Sequence, residues 1–250
     1  LLLLERALVD SRAQAQRLIM AGRVYSAERR IDKPGDCLDE SAAIAVREGP
    51  RFVSRGGDKL EGALDDLQVQ VRDRICADVG ASTGGFTDCL LQHGARRVYT
   101  VDVGRAQLAD KLRRDPRVVS REGINARNLT ASDFAEAIEL VVIDVSFIGL
   151  GHLVGALAAI LPPAGELVAL IKPQFEVGRE QARRSKGVIT DPAVRAAAIE
   201  KTKVILAASG FELVGSVDSR VHGPKGNVEH FVHATRVATP VASSTVAESG

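Results

Sequence analysis

Asp78-Val79-Gly80-Ala81-Ser82-Thr83-Gly84-Gly85-Phe86-Thr87 is the stretch on which the fold turns. It follows the apolar run Ile75-Cys76-Ala77 and leads into a helical pattern, and a second acid, Asp102, closes the next apolar run. Strand, glycine turn, helix, strand and then a carboxylate make one nucleoside-binding half of a doubly wound sheet, with the acid set to bond ribose hydroxyls. The glycines depart from the G-x-G-x-x-G spacing of dinucleotide binders, and Asp78, just ahead of the first glycine, would repel a pyrophosphate. A ligand with a ribose and an ammonium but no phosphate suits these charges, and S-adenosylmethionine is such a ligand. Asp78, Gly80, Ser82, Thr83, Gly84, Gly85, Phe86 and Asp102 are therefore its expected contacts. A tight strand-to-helix turn that binds nothing is the plainer alternative.

Outward from this loop the pattern alternates helix and strand. Helices are expected over 60–67, 86–92, 106–113 and 194–208, the last stopped by Gly210. Strands are expected over 75–79, 98–102, 118–119, 140–144, 167–171, 211–217 and 228–237. Leu140-Val141-Val142-Ile143-Asp144 is continuously apolar until its acid, as befits a strand buried on both faces. The turn Gly223-Pro224-Lys225-Gly226-Asn227 makes the last two strands a hairpin. Residues 145–165 lack Asp, Glu, Lys and Arg, yet His152, internal glycines and Pro162-Pro163 argue for a buried helix rather than a membrane span.

Ligands of a doubly wound sheet sit beyond the carboxyl ends of its parallel strands. Asp78, Asp102, Asp144 and Lys172 each close an apolar run and should face that crevice. Glu229, at the start of an antiparallel last strand, falls on the same edge, and Lys59 can reach over the rim from the preceding helix. Moving a methyl from a sulfonium to an alcohol needs in-line approach and removal of a weakly acidic proton. An amine can partner that proton when a neighbouring cation and burial disfavour its charged form. Lys172 is expected to meet the hydroxyl proton, with Lys59 and Asp144 tuning the site and Glu229 positioning a lysine. Taken singly, each has an ordinary alternative: a surface lysine, a helix cap, a solvated strand end.

The first 49 residues read differently. Leu8, Leu18 and Ile19 are apolar positions of one or two short helices, Ser11 opens a capping-box-like start, and residues 43–46 form a short strand. Arg6, Arg12, Arg17 and Arg23 give this module a basic face suited to reading an RNA backbone. Arg55, Arg183, Arg184 and Lys186 could touch phosphates at the crevice, as could residues 105–117, although solvated basic residues are common. Gly49 to Gly57, with one proline and three glycines, is a linker. The resulting division is 1–49, a linker at 50–58, 59–238, and a disordered tail at 239–250.

Composition excludes little but is consistent. With 250 residues, 45% hydrophobic and net charge +1, the chain has room for an α/β domain plus a small accessory one, and its total charge offers no argument for nucleic acid. Cys37, Cys76 and Cys89 lack metal-ligand spacing and suggest reduced thiols in a cytoplasmic compartment. His230 and His233 are three apart on a strand, so no metal site is expected.

Five pieces carry a family resemblance: Val53 to Leu60, Asp78 to Thr87, Asp144-Val145-Ser146-Phe147-Ile148, Ile171-Lys172-Pro173-Gln174-Phe175-Glu176-Val177-Gly178 and Gly226-Asn227-Val228-Glu229. They resemble the TlyA family of ribosomal RNA methyltransferases, whose catalytic domain is related to FtsJ-like ribose methyltransferases. The resemblance spans nearly the whole chain, including an N-terminal S-four-type RNA-binding domain. It implies an α/β fold with a doubly wound, mostly parallel Rossmann-like methyltransferase sheet and an antiparallel last strand. It also implies 2′-O-methylation of cytidine in 16S and 23S rRNA with S-adenosylmethionine, on ribosomal RNA or ribosomal subunits. The family's Lys-Asp-Lys-Glu tetrad falls on Lys59, Asp144, Lys172 and Glu229, and Asn125 falls where such folds commonly meet the adenine. Two other classes compete: a membrane-active protein, since the family is often labelled haemolysin, and a non-catalytic RNA-binding assembly factor.

Overall fold

The computed structural model describes residues 2–20, 22–27, 29–31, 33–47, 49–178, 181, 183, 185, 187–223 and 225–238. The expected tail at 239–250, together with Arg184, Lys186 and Pro224, lies outside the described residues. The chain divides into two compact units, Leu1–Arg51 and Phe52–Gly250.

In the first unit, helices α1 (Leu2–Glu5) and α2 (Arg12–Met20) accompany a three-stranded antiparallel sheet of order β2-β1-β3. Its strands are β1 (Val24–Ser26), β2 (Arg29–Arg30) and β3 (Ile44–Val46). Ser11 Oγ accepts from Gln14 N, while the Gln14 side chain accepts from Asp10 N, so the expected helix start is made by reciprocal bonds. Leu3, Val9, Ile19, Val24 and Ile31 form the small core. Leu8, expected to be an apolar helix position, is instead exposed, because Ala7 turns the chain through a positive φ and Val9 takes the buried place.

The second unit is built on a seven-stranded sheet of order β6-β5-β4-β7-β8-β10-β9. The parallel strands are β4 (Ile75–Val79), β5 (Arg97–Asp102), β6 (Val118–Glu122), β7 (Leu140–Ile143) and β8 (Glu166–Ile171). The last two, β9 (Phe211–Asp218) and β10 (His230–Arg236), run as a hairpin, with β10 antiparallel to β8. Chain order reverses between β4 and β7, which opens a crevice at their carboxyl ends.

Alternation along the strands sorts the core into two layers. Ile75, Ala77, Val79, Val141, Ile143, Ala169 and Ile171 point to the face shared with α6 (Val154–Ile160) and α8 (Pro192–Ala208). Cys76, Leu140, Val142, Val168, Leu170 and Phe231 point to the face covered by α3 (Arg55–Asp66) and α4 (Gly85–Gln92). Two steps further along β4, β7 and β8, or back along β10, this second face receives Asp78, Asp144, Lys172 and Glu229. The period of two therefore delivers four charged groups to the face on which α3 lies.

Two helices are shorter than their apolar content predicts. Only α5 (Asp110–Arg113) forms within 106–113, because Ala106 takes a positive φ while its N–H donates to Glu122 Oε2, and Ala109 N is drawn to Thr83 O. Within 145–165 only α6 and a 3-10 turn at Leu150–His152 are helical, since Phe147 has φ +68° and Pro162 ends the run. No helix among the described residues is long and apolar enough to cross a membrane. Cys37, Cys76 and Cys89 are not joined in disulfides.

Candidate active site

Ser54 caps α3 by accepting from Gly56 N, which starts the helix five residues ahead of the expected position and turns Lys59 inward with Leu60, Ala63 and Leu64. Lys59 is only 6% exposed, and its Nζ donates to Glu229 Oε2 at 2.5 Å. Glu229, 1% exposed, stands at the turn before β10. The second pair is Lys172 with Asp144, an ion pair in which Lys172 Nζ also donates to Ser146 Oγ at 3.0 Å. Lys172 precedes α7 (Pro173–Glu176), where Pro173 at the first helical position loses no hydrogen bond. Ser146 was not singled out in the sequence, because a lone serine after an acid carries no spacing signal.

Asp78 is wholly buried. Its Oδ2 accepts from Thr87 N (2.9 Å) and Thr87 Oγ1 (2.6 Å), while Oδ1 is buried without a hydrogen-bond partner. Desolvation pushes its carboxyl up to about 7, opposed by the Thr87 bonds and reinforced by Asp144 and Asp102. Such a group is costly to bury and marks a place where a ligand can supply the missing donor.

The glycine turn has a steric purpose. Gly80 (φ +84°) lies so close to the backbone carbonyl of Asp144 that a Cβ would collide with it, so glycine lets the ends of β4 and β7 approach. Asp102 Oδ2 accepts from Ser82 N and Oδ1 from Gly104 N, both at 2.7 Å, fixing the acid at the end of β5.

Two adjoining cavities result. One of about 450 Å³ is lined by Arg55, Lys59, Asp78, Ser82, Asp144 and Lys172, with Thr83, Gly85 and Phe86 also on its wall. The other, about 520 Å³, is bordered by Asp102, Gln107, Asn125 and the apolar Val103, Ile124 and Leu153. Gly80, Ser82, Asp144 and Ser146 border both. Gly84 instead turns the chain into α4 with φ +93°. Asn125 Oδ1 accepts from Arg127 N, so its acceptor is partly spent on the local turn. This donor set matches an adenine nucleoside that carries an ammonium. An orphaned buried acid suits a cation, a fixed acid suits ribose hydroxyls, and apolar walls suit a base.

The basic residues separate into groups. Arg6 donates to Ala42 O and Glu40 O, and Arg23 Nε to Arg47 O, so both spend N–H groups within the first unit. Arg12, Arg17 and Arg183 are exposed. Arg55 lines the first cavity and donates to His222 O.

Residues 52–236 match the family described as FtsJ-like methyltransferase, and residues 2–44 match the S4 domain. The chain is 47% identical over 234 residues to a Bacillus subtilis protein named "Putative rRNA methyltransferase YqxC", covering 93% of this chain and 83% of the relative. It is 43% identical over 232 residues to the 16S/23S rRNA (cytidine-2'-O)-methyltransferase TlyA of Mycobacterium tuberculosis, covering 92% and 86%. A solved structure described as "Putative hemolysin from Streptococcus thermophilus" superposes with a TM-score of 0.75 at 42% identity, covering 96% of this chain and 88% of that one.

Proposed function

The chain belongs to the FtsJ-like methyltransferase family, and on that premise we propose that it methylates the ribose 2′-oxygen of a cytidine in ribosomal RNA with S-adenosylmethionine. The observation that carries this reading is the meeting of Lys59, Asp144 and Lys172, with Glu229 bonded behind Lys59, at the cavity that the Asp78–Phe86 loop lines.

When bound, S-adenosylmethionine supplies a methyl made electrophilic by its sulfonium. Asp78 Oδ1 would take the ammonium, Asp102 the ribose hydroxyls, and Asn125 with the apolar wall the adenine. Gly80, Ser82, Thr83, Gly84, Gly85 and Phe86 shape the turn between them. Lys172, held by Asp144 and Ser146, engages the 2′-hydroxyl, whose proton leaves for the Lys172–Asp144 pair. Glu229 holds Lys59 in the cavity wall, and the exposed Arg55 on the same wall makes the mouth attractive to an RNA phosphate. Arg12, Arg17, Arg55 and Arg183, all exposed, would contact RNA. Arg6 and Arg23 contribute what their remaining N–H groups allow, and Arg184 and Lys186 extend the basic stretch in sequence. The scheme needs no metal, and its substrate, ribosomal RNA or a ribosomal subunit, assigns the protein to the cytoplasm.

The test is transfer of tritiated methyl to rRNA from cells lacking this protein, with the modified position mapped. A 2′-O-methylcytidine is expected. Absence of incorporation, or a methyl on a base, would overturn the reading.

A further inference from the structure

We propose that the cavity between the loop that follows β7, α7 and α8, lined by Phe147 and Phe175, binds a nucleotide flanking the one whose ribose enters the Lys172 cavity. The proposal rests on RNA being the substrate. Phe147 is 92% exposed and sits in a left-handed backbone, φ +68°, that a non-glycine residue adopts at a cost. Its ring faces that of Phe175, with centroids 5.4 Å apart and planes inclined at 47°. The arrangement is held: Glu176, next to Phe175, accepts from Leu150 N at 2.7 Å and so ties the Phe147 loop to α7. An exposed large apolar ring kept in a strained, tethered loop is a surface prepared for a partner.

The partner's chemistry follows from the rest of the wall. The cavity measures about 530 Å³, and Arg127 and Lys201, both exposed, line it together with the two rings and His152. Aromatic faces flanked by cations are what an unstacked base and its phosphate require. Position selects a flanking nucleotide. Phe147 and Phe175 each lie three residues beyond Asp144 and Lys172, at most about 11 Å along the chain. Arg127 and Phe147 line the nucleoside cavity on their other side as well. A strand whose target ribose reaches Lys172 therefore passes this shelf with its next residue.

Phe175→Ala is expected to raise the KM for an rRNA fragment between about five- and 100-fold, with kcat and S-adenosylmethionine affinity within about twofold. Phe175→Trp should restore it. Removing the flanking base from the RNA should cost the unaltered enzyme a similar factor and cost Phe175→Ala nothing more. Exposed Lys201→Ala, which leaves the core intact, should reduce the slope of log KM against log salt by about 0.7. Wild-type KM in Phe175→Ala, an equal abasic penalty in both enzymes, or an unchanged salt slope in Lys201→Ala would overturn the proposal. Failure of the unaltered enzyme to methylate RNA would instead remove its premise.

Discussion

β4, β8 and β10, with the residues that flank them, each send one polar side chain into each of two clusters, at opposite ends of the same face of the sheet. At the carboxyl end of β4 and β8 stand Asp78 and Lys172, with Glu229 of β10's leading turn. At the other end stand Arg74, Glu166 and His233, about 13 Å away along β4 and β10 and about 20 Å away along β8 by strand rise. Glu166 accepts from His233 Nε2 at 2.7 Å and pairs with Arg74 at 2.6 Å. The His233 hydrogen bond and then Arg74 hold its carboxyl down to about 2 against desolvation. Asp78, on the same face, is met by no cation among the described residues and is pushed up to about 7. In the lower cluster the acid is met by two partners, although Arg74 Nη1 and His233 Nδ1 are left without a hydrogen bond, whereas in the upper one it is an acid oxygen that is left over, and it borders a cavity. Burial and charge alone do not identify a functional cluster; an unmet bond beside open space does.

The sharpest way to break this contrast is Lys172→Ala. Methyl transfer should fall by about 100- to 10,000-fold, measured as tritium incorporated per enzyme, while the fold persists. Retention of full activity would sink the proposed role for the Lys172–Asp144 pair even if the cofactor is right. Next comes Asp78. Its folded carboxyl titrates above the unfolded value of 3.8, so the folded state holds the proton more firmly. Stability is thus greatest at low pH and declines as pH rises towards 7. Between pH 5 and 8, Asp78→Asn should gain roughly 3 kcal/mol relative to the unaltered chain, read from urea midpoints. Parallel stability curves would mean that Asp78 has a counter-charge after all.

Glu166 should show the opposite sign. Its folded carboxyl titrates below 4.5, so its contribution is present above that pH and lost as pH falls towards 2. Because the side chain is partly exposed, Glu166→Gln should cost roughly 2 kcal/mol at pH 7, and little at pH 2. Its methyl transfer should stay within about twofold. A loss of activity matching that of Lys172→Ala would erase the distinction between the two ends.

The upper end was far more legible from sequence than the lower. Strands buried on both faces leave continuous apolar runs, so β4 was bounded to the residue and β7 and β8 to within one. The acids and the lysine closing those runs follow from that boundary. Arg74, Glu166 and His233 gave no signal, because each looks like a solvated charge until β10 is laid antiparallel beside β8. Helices failed where tertiary bonds outbid propensity: Glu122 captures Ala106, and α6 shrinks behind the Phe147 loop. The Phe147–Phe175 pair was invisible for a similar reason. Its residues lie 28 positions apart in sequence, one on a loop and one in α7, which only the parallel pairing of β7 with β8 brings together.

The smallest expected effect concerns the basic stretch 105–117, which by composition could serve RNA. Several of its side chains are engaged locally: Lys111 with Asp88 at 2.8 Å, Arg113 with Leu108 O, and Arg117 with Asp115. Lys111 is the informative case, because Asp88 also accepts from Val53 N and thereby fixes the entry to α3. The lysine side chain is 56% exposed, so the pair contributes below about 1 kcal/mol, and Lys111→Ala should lower Tm by less than about 4 °C. KM for rRNA and its salt slope should both stay unchanged, in contrast to Lys201→Ala. A drop in that slope near 0.7 would show that RNA draws Lys111 away from Asp88, and would extend the RNA path from the Phe175 shelf round to α5.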